Sequence, residues 1–204
     1  SLIEKDPFWL TIAKHPVILD AVQQILGPDI ILWGSALFLK PAHNGKRVPW
    51  HQDGHYWPIK PLEAITVWIA IDNASAENGA LKFIHGSHSS RELYEHNFSE
   101  DITDVVLGRE LDITRFENMS VHQLTLNSGQ ISIHDSYIVH GSDANSSSSN
   151  RIGLTFRYMP ASSIFNKCQA LHEANSLGVH GDLFKRKLFL VRGQDTYNQC
   201  INSI

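Results

Sequence analysis

The chain is organised around one stretch, WHQDGHYWP, at residues 50–58. This stretch places an imidazole, His51, two residues before a carboxylate, Asp53. In an extended strand, residues i and i+2 point to the same side. We therefore expect His51 and Asp53 to aim at one point, where a metal ion would find two of its ligands.

A third ligand is predicted at His140, within the segment IVHGS at residues 138–142, and Arg151 follows on the next predicted strand. Two histidines and one carboxylate on one face of a metal, with open positions opposite, form the arrangement of non-haem Fe(II) oxygenases. A downstream arginine is suited to hold a carboxylate co-substrate by a two-pronged hydrogen bond. These four residues predict an iron centre beside a carboxylate site.

Length and composition limit the classes of protein and partner. The 204 residues suffice for one domain with a substantial core, and the hydrophobic and charged fractions, 42% and 19%, are ordinary for a soluble globular protein. The net charge of −4 provides no basic field for nucleic acid. No apolar segment approaches the roughly 18 residues that span a membrane. We expect a small-molecule substrate and neither a nucleic-acid nor a membrane partner; the oligomeric state is left open.

The cysteine content bears on the compartment. Only Cys168 and Cys200 are present, which favours a reducing environment without a disulfide framework, so we expect a cytoplasmic protein. The chain begins at Ser1 directly in a helix-like pattern. We expect a single oxygenase domain over residues 1–204 that lacks an N-terminal segment.

The periodicity of the chain predicts an all-β core with flanking helices. Residues 6–26 are helical in pattern, with Asp6 as cap, a division at Pro16 and an end at Gly27. Short strands with turns between them favour a jelly-roll or cupin-like barrel. We expect residues 89–118 to be loop with some helix, with a lid as one interpretation, and the tail from residue 161 to pack outside the barrel. The strands are predicted at residues 30–40, 50–56, 65–71, 80–84, 121–126, 130–134, 137–140 and 151–158.

The ligand set has alternatives. His51 and Asp53 could form a structural hydrogen-bonded pair, and a second His-x-Asp occurs at His180 and Asp182. His134 could replace His140 as the distal ligand. His55 has the same parity as Asp53 and could be a fourth ligand, but an iron site needs open positions, so a place in the substrate pocket is favoured.

The strand at residues 151–158 alternates strictly, with apolar residues on one face and Arg151 and Arg157 on the other. An inward arginine in a barrel needs an anion, and the alternative is that both arginines face solvent. Arg157 lies roughly 20 Å beyond Arg151, too far to share one co-substrate. Its anion would be an internal carboxylate such as Asp72 or Glu77, or an acidic group of the substrate.

The order of these motifs resembles the phytanoyl-CoA dioxygenase family of Fe(II)/2-oxoglutarate oxygenases. The resemblance covers most of residues 30–160, in the family's order. Its segments are KP at 40–41, PWHQDGHYWP at 49–58, TVWIAID at 66–72, ENGAL at 77–81, GSH at 86–88, HGS at 140–142 and RIGL at 151–154.

The resemblance implies a double-stranded β-helix fold, with Fe(II) as cofactor and 2-oxoglutarate and O₂ as co-substrates. It implies His51, Asp53 and His140 as iron ligands and Arg151 as the clamp for the distal carboxylate of 2-oxoglutarate. The residues expected around the co-substrate are Gln52, Trp68 and Ser142, and those expected near the substrate are His55, Tyr56, Trp57 and Arg157.

The resulting functional hypothesis is hydroxylation of an unactivated carbon of a small organic substrate, with release of succinate and CO₂. A halogenase would lack the carboxylate ligand, whereas Asp53 is present. A non-catalytic jelly-roll binding protein would have lost a ligand or the arginine, and a zinc hydrolase would have no need of Arg151. The sequence does not identify the substrate.

Overall fold

A computed structural model of the chain describes residues 1–99, 107–170 and 185–200. The chain divides into two compact units, each built from separate segments. The first contains Ser1–Ala36, Tyr56–Val67 and Thr155–Ile204, and the second contains Leu37–His55 and Trp68–Leu154. The single domain and the missing N-terminal segment stay predictions. Within the described ranges, no helix is long and apolar enough to cross a membrane.

The two predicted helices are confirmed. They are α1, Pro7–Ala13, and α2, Pro16–Leu26, and each begins with the proline that suits a first helical turn. The Asp6 carboxylate accepts a hydrogen bond of 2.9 Å from the Phe8 amide, which caps α1. Gly27, with a φ of 85°, ends α2. Short 3₁₀ turns lie at Leu2–Glu4, Asp53–Tyr56 and Thr114–Phe116.

The strands form two larger sheets and two short pairs. The five-stranded sheet has the order β13-β1-β11-β4-β9, and the four-stranded sheet has the order β2-β10-β5-β8. The pairs are β12 with β3 and β6 with β7. The strands are β1 Ile30–Lys40, β2 Val48–His51, β3 Ile59–Lys60, β4 Ile65–Ala70, β5 Leu81–Ile84, β6 His96–Phe98, β7 Arg109–Leu111, β8 Val121–Gln123, β9 Ile131–Asp135, β10 His140–Ser142, β11 Arg151–Pro160, β12 Ile164–Phe165 and β13 Phe189–Arg192.

The first unit has an aromatic core. Trp33 and Trp57 meet edge to face with ring centroids 4.8 Å apart, and Phe165 lies 5.6 Å from Trp33. The Tyr158 hydroxyl donates a hydrogen bond of 2.8 Å to the Ala13 carbonyl at the end of α1. Apolar burial and this hydrogen bond attach the helical segment to the strands of its own unit.

The second unit contains the four-stranded antiparallel sheet. In its register, His140 lies opposite both His51 of β2 and Phe83 of β5. Two small apolar clusters support the unit: Trp68, Ala70, Ala74 and Ala80, and Ile84, Leu111, Phe116 and Val139. The pairing of β2 with β10 therefore brings two histidines together that are far apart in sequence.

Two strand predictions around the ligands are wrong in extent. The strand predicted through Tyr56 ends at His51, because the Gly54 amide donates to the Ser136 carbonyl at 2.8 Å and the chain enters a 3₁₀ turn. The segment before His140 is a turn and not a strand, since the Tyr137 amide donates to the Asp135 carboxylate at 2.7 Å. A hydrogen bond between distant segments ends the first strand, and a hydrogen bond between residues two apart forms the turn before His140.

The less regular segments also differ from expectation. Within residues 89–118, β6 and β7 form an antiparallel pair, and Arg47 holds Glu110 through two hydrogen bonds of 2.7 and 2.9 Å. The part of the predicted lid at residues 100–106 lies outside the described residues. The tail does not all pack outside the sheets, because β13 pairs with β1. The second His-x-Asp, at residues 180–182, lies outside the described residues.

We predict that Gly141→Ala separates β10 from β2. A Cβ at Gly141 would lie 2.9 Å from the Val48 carbonyl oxygen and 3.3 Å from that of Pro49. Overpacking of this kind costs about 1–3 kcal/mol, measured as the free energy of unfolding in denaturant. Metal affinity should fall as well, because His140 is displaced from His51.

The matched control is Gly108→Ala, where an added Cβ meets no atom within 4 Å. It should leave both the free energy of unfolding and metal affinity unchanged. Equal effects of the two substitutions would contradict the role assigned to Gly141.

Candidate metal centre and carboxylate site

His51, Asp53 and His140 each offer one ligand atom, and these atoms lie within 4.8 Å of one another. His51 Nε2 is 3.8 Å from Asp53 Oδ1, and the two imidazole centroids are 4.1 Å apart. Both histidines are buried, and the Asp53 side chain is 14% exposed. Across the ranges that the structure describes, this is the one such group of histidine, cysteine and carboxylate ligands. The predicted ligands thus come together, and His134 and His55 are not part of the set.

The two histidines are oriented in the same way. His51 Nδ1 is 2.8 Å from the Pro49 carbonyl oxygen, and His140 Nδ1 is 3.1 Å from that of Ile138. A carbonyl oxygen only accepts, so Nδ1 carries the proton in both rings. In a neutral ring the lone pair is then left on Nε2, the atom that would bind the metal. This is the usual way in which an outer hydrogen bond fixes the tautomer of a metal-binding histidine.

The electrostatics of the site favour a neutral imidazole at His140. Burial holds the pKa of His140 well below its ordinary value, His51 and His134 lower it further, and Asp53 opposes them. Neutral histidine is the form that ligates a metal. His140 is therefore ready to bind at pH 7 without losing a proton first.

Asp53 reaches the site through a turn and not through the strand parity that the sequence suggested. It begins the 3₁₀ turn, which is held by the hydrogen bond from the Gly54 amide to the Ser136 carbonyl. The carboxylate is brought back towards His51 by this turn. The three side chains come together as predicted, whereas the predicted extended geometry is wrong.

Arg151 is a buried cation at the first position of β11, and only 2% of the residue is exposed. Its Nη2 donates a hydrogen bond of 2.8 Å to the Gly79 carbonyl, and its guanidinium carbon lies 5.5 Å from the Trp68 ring. Nε has no hydrogen-bond partner, and within the described residues no carboxylate lies in ion-pair range. Burial lowers the pKa of Arg151 to about 10, so it stays charged at pH 7. The alternative that Arg151 faces solvent is wrong.

Trp68 lies against β11 because residue 153 is glycine. A Cβ at Gly153 would lie 2.2 Å from the Trp68 indole, so any larger residue would expel the ring. The absence of this side chain lets Trp68 form one wall beside Arg151. The part of Trp68 in co-substrate binding stays a prediction.

Lys40 is a functional candidate to which the sequence reasoning gave no role. It is 4% exposed at the end of β1, and its ammonium group donates to the carbonyl of Asp143. Burial first, and then the nearby Arg151, lower the pKa of Lys40 to about 7, against the opposite effect of Asp143. The sequence does indicate this burial, because Lys40 lies at a position of the apolar strand β1 whose side chain points inward.

Ser142 adds a third donor to this region. It lies two residues after His140 on β10, its carbonyl oxygen is 3.5 Å from the Lys40 ammonium, and its hydroxyl is buried without a hydrogen-bond partner. Buried polar atoms without partners are uncommon and call for an explanation. A bound carboxylate would accept from the Ser142 hydroxyl and from Arg151 Nε.

Gln52 is occupied by the protein itself. Its side-chain amide donates to the carbonyls of Glu92 at 2.8 Å and Tyr137 at 2.7 Å, and its oxygen accepts from the Tyr94 amide at 2.8 Å. The residue is fully buried. Gln52 thus connects the ligand turn to two other segments, and its predicted contact with the co-substrate stays a prediction.

His96, to which the sequence analysis gave no role, supports the segment that leads into the turn at Asp53. Its Nε2 accepts a hydrogen bond of 3.0 Å from the backbone amide of Gln52, and its Nδ1 lies 2.9 Å from the Tyr94 carbonyl oxygen. Burial and, next, His55 lower the pKa of His96 to about 3, so it stays neutral. His55 stacks on His96 with ring centroids 4.0 Å apart.

The remaining residues predicted near the substrate are in the first unit. Trp57 is 8% exposed within the aromatic core, and the Arg157 guanidinium lies 5.7 Å from its ring and 5.8 Å from that of Trp33. Of the carboxylates suggested for Arg157, Asp72 accepts from the Ile152 amide at 3.1 Å and Glu77 is exposed. Substrate roles for His55, Tyr56, Trp57 and Arg157 stay predictions.

Residues 1–153 match the model of the phytanoyl-CoA dioxygenase (PhyH) family. The chain belongs to this family.

Individual relatives agree with the family assignment. A probable alpha-ketoglutarate-dependent hypophosphite dioxygenase of Stutzerimonas stutzeri is 30% identical over 157 residues, which are 74% of this chain and 52% of that protein. The peroxisomal phytanoyl-CoA dioxygenase of Bos taurus is 26% identical over 178 residues, 84% of this chain and 52% of that protein. The chain therefore spans about half the length of these curated relatives.

A solved structure supports the fold. The apo form of the non-heme monooxygenase ThoJ superposes with a TM-score of 0.70 at 27% identity, covering 95% of this chain and 64% of ThoJ. The predicted jelly roll, or double-stranded β-helix, with flanking helices is confirmed.

We predict that Lys40 makes the binding of a dicarboxylate such as 2-oxoglutarate depend on pH. The pKa of Lys40 is about 7, so the free protein loses this charge as the pH rises through 7. An anion held by the charged form then binds more weakly, by up to roughly tenfold per pH unit above the pKa. Calorimetric titration of the Fe(II)-loaded protein under argon between pH 7 and 8.5 measures the slope.

Lys40→Met should bind the dicarboxylate more weakly at pH 7 and show a flat profile. Lys46, which is exposed in the same unit, provides the control Lys46→Met, and this variant should keep the wild-type slope. A Lys40→Met variant with the wild-type slope would show that another group is responsible.

Proposed function

We propose that the chain is an Fe(II)- and 2-oxoglutarate-dependent dioxygenase that hydroxylates an unactivated carbon of a small organic substrate and releases succinate and CO₂. One observation carries the proposal. The unit that holds the three-ligand centre also buries Arg151 with an unused donor and no carboxylate partner among the described residues. Family membership supports the same class of reaction.

The ligands fit ferrous iron. Two imidazoles and one carboxylate match the facial set of non-haem iron oxygenases, and three protein ligands leave coordination positions for other molecules. When bound, the iron would supply the activation of O₂ and the coupled oxidation of co-substrate and substrate. His51, Asp53 and His140 contribute fixed ligand atoms, and the outer carbonyls of Pro49 and Ile138 hold the rings in place.

The protein side of co-substrate binding is electrostatic. Arg151 would hold the distal carboxylate of 2-oxoglutarate, Lys40 would add a second positive charge, and the Ser142 hydroxyl would donate a further hydrogen bond. All three residues are nearly inaccessible to solvent. Charge-assisted hydrogen bonds are stronger where water is excluded, so this region favours a dicarboxylate over water.

The substrate is not specified beyond a small organic molecule. Relatives in the family are named for phytanoyl-CoA and for hypophosphite, which are chemically unlike. His55, Tyr56, Trp57 and Arg157 are kept as candidates for substrate contact. A cytoplasmic location belongs to the same proposal and rests on Cys168 and Cys200, which form no disulfide.

The competing classes lack a supporting observation. A halogenase needs the carboxylate position empty for a halide, and Asp53 fills it. A non-catalytic binding protein would have no reason to keep three ligands beside a buried arginine. A zinc hydrolase would use the three ligands but not the arginine.

We expect Fe(II) and 2-oxoglutarate to bind together under argon and to give a weak visible charge-transfer band. A screen of candidate substrates should then show coupled release of succinate in air. Asp53→Ala should lose both the band and hydroxylation and keep the wild-type circular dichroism spectrum. A folded, iron-loaded wild-type protein without the band would contradict the proposal, and so would an Asp53→Ala variant with normal turnover.

Arg151→Leu should raise the dissociation constant of 2-oxoglutarate and leave that of Fe(II) nearly unchanged. Loss of one partner of a buried, hydrogen-bonded charge pair costs on the order of 2–5 kcal/mol. Titration of the charge-transfer band measures the change, and Arg192→Leu, in a partly exposed ion pair with Asp20, is the control. Equal affinity for 2-oxoglutarate in wild type and Arg151→Leu would show that another residue holds its distal carboxylate, with Arg157 as the first alternative.

A further inference from the structure

His134 is a buried histidine in the second unit that has no part in the ligand set. It lies on β9, its side chain is 5% exposed, and its ring centroid is 4.7 Å from that of His140 and 5.4 Å from that of Phe83. Neither ring nitrogen has a hydrogen-bond partner among the described residues. A buried polar group without a partner costs about 1–3 kcal/mol, so an apolar residue beside Phe83 would be favoured if only packing mattered. His134 therefore calls for a functional explanation.

The Asp53 carboxylate lies between two histidines and presents a different oxygen to each. Oδ1 is 3.8 Å from His51 Nε2, and Oδ2 is 3.6 Å from His134 Nε2. Oδ1 thus lies on the side of the metal ligand His51, and Oδ2 lies on the side of His134. This arrangement assigns the two oxygens to different tasks.

We propose that His134 is a positioning residue, whose Nε2–H donates a hydrogen bond to Asp53 Oδ2 in the metal-loaded protein. The inference rests on the proposed function and deepens it. Hydrogen bonds from N–H to oxygen are about 2.7–3.2 Å long, so the two atoms need to approach by roughly half an ångström when Oδ1 takes a metal. Contacts of this kind are often long before the ligand is bound.

The hydrogen bond would determine how Asp53 binds. A carboxylate that is free to rotate can ligate through both oxygens and then occupies two coordination positions. With Oδ2 engaged by His134, Asp53 binds through Oδ1 alone. The positions that a bidentate co-substrate and O₂ require then stay open. An outer hydrogen bond to a metal ligand also strengthens metal binding, and its loss typically weakens the affinity by 10–100-fold.

The test compares His134→Leu, which removes the donor, with His134→Gln, whose side-chain amide can donate from a similar distance. Co(II) serves as a probe of coordination number through its visible spectrum, and competition with a chelator gives the dissociation constants of Co(II) and Fe(II). We expect His134→Leu to weaken metal binding by about 10–100-fold. Its Co(II) spectrum should shift on 2-oxoglutarate addition less than that of wild type. His134→Gln should recover most of the affinity and the wild-type spectrum.

The control is His122→Leu, since His122 is an exposed histidine of β8 in the same unit and should have no effect. Circular dichroism and the melting temperature of the apo proteins report folding. If His134→Leu does not fold, His134→Asn replaces it, because the shorter amide cannot reach Oδ2 and should lose affinity as Leu does.

Three results separate the possible failures. Wild-type affinity and spectrum in a folded His134→Leu variant would overturn the positioning role and leave the proposed function intact. The same loss in His134→Gln as in His134→Leu would also overturn it, because His134 would then act through packing alone. Failure of the wild-type protein to bind Fe(II) and 2-oxoglutarate together would overturn the proposed function itself.

Discussion

The antiparallel pairing of β2 with β10 is the interaction on which the site depends. Its register sets His51 opposite His140, two residues that are far apart in the sequence. Gly141 allows the close approach, because a Cβ there would collide with the β2 backbone. Once the two strands are paired, the carbonyl two residues before each histidine fixes its ring, and the turn at Asp53 completes the candidate metal centre.

The second unit also buries two positively charged side chains. Lys40 and Arg151 are both buried, and each donates hydrogen bonds to backbone carbonyls. In the described ranges no carboxylate lies in ion-pair range of either group, although the Asp143 carboxylate opposes the lowering of the Lys40 pKa. Buried cations are costly unless an anion compensates them. Burial accordingly lowers the pKa of both groups. Two buried cations in one unit lower the free energy of unfolding, and a bound dicarboxylate would raise it again. The burial of these cations is therefore consistent with the proposed co-substrate.

Much of the fold could be predicted because the relevant signals are local. The apolar runs of β1 and β4, the alternation of β11 and the prolines and glycine that bound the helices all act within a few residues. Two of the wrong predictions have the opposite cause, a partner that is far away in the sequence. The strand β2 ends at His51 because the Gly54 amide donates to the Ser136 carbonyl, and part of the tail forms β13 because it pairs with β1. The local pattern of a single sequence does not show which distant segment will supply such a hydrogen-bond partner.

The sequence by itself determined the types of the candidate ligands, their order and the arginine that follows them, because metal and carboxylate chemistry requires particular functional groups at particular spacings. Only the tertiary structure decided which further residues share the site. It buried Lys40, engaged every polar atom of the Gln52 side chain, and set His134 beside the outer oxygen of Asp53. The physical reason is that burial and neighbourhood arise from contacts between distant segments, and these contacts determine the pKa, the hydrogen-bond partner and the task of a side chain.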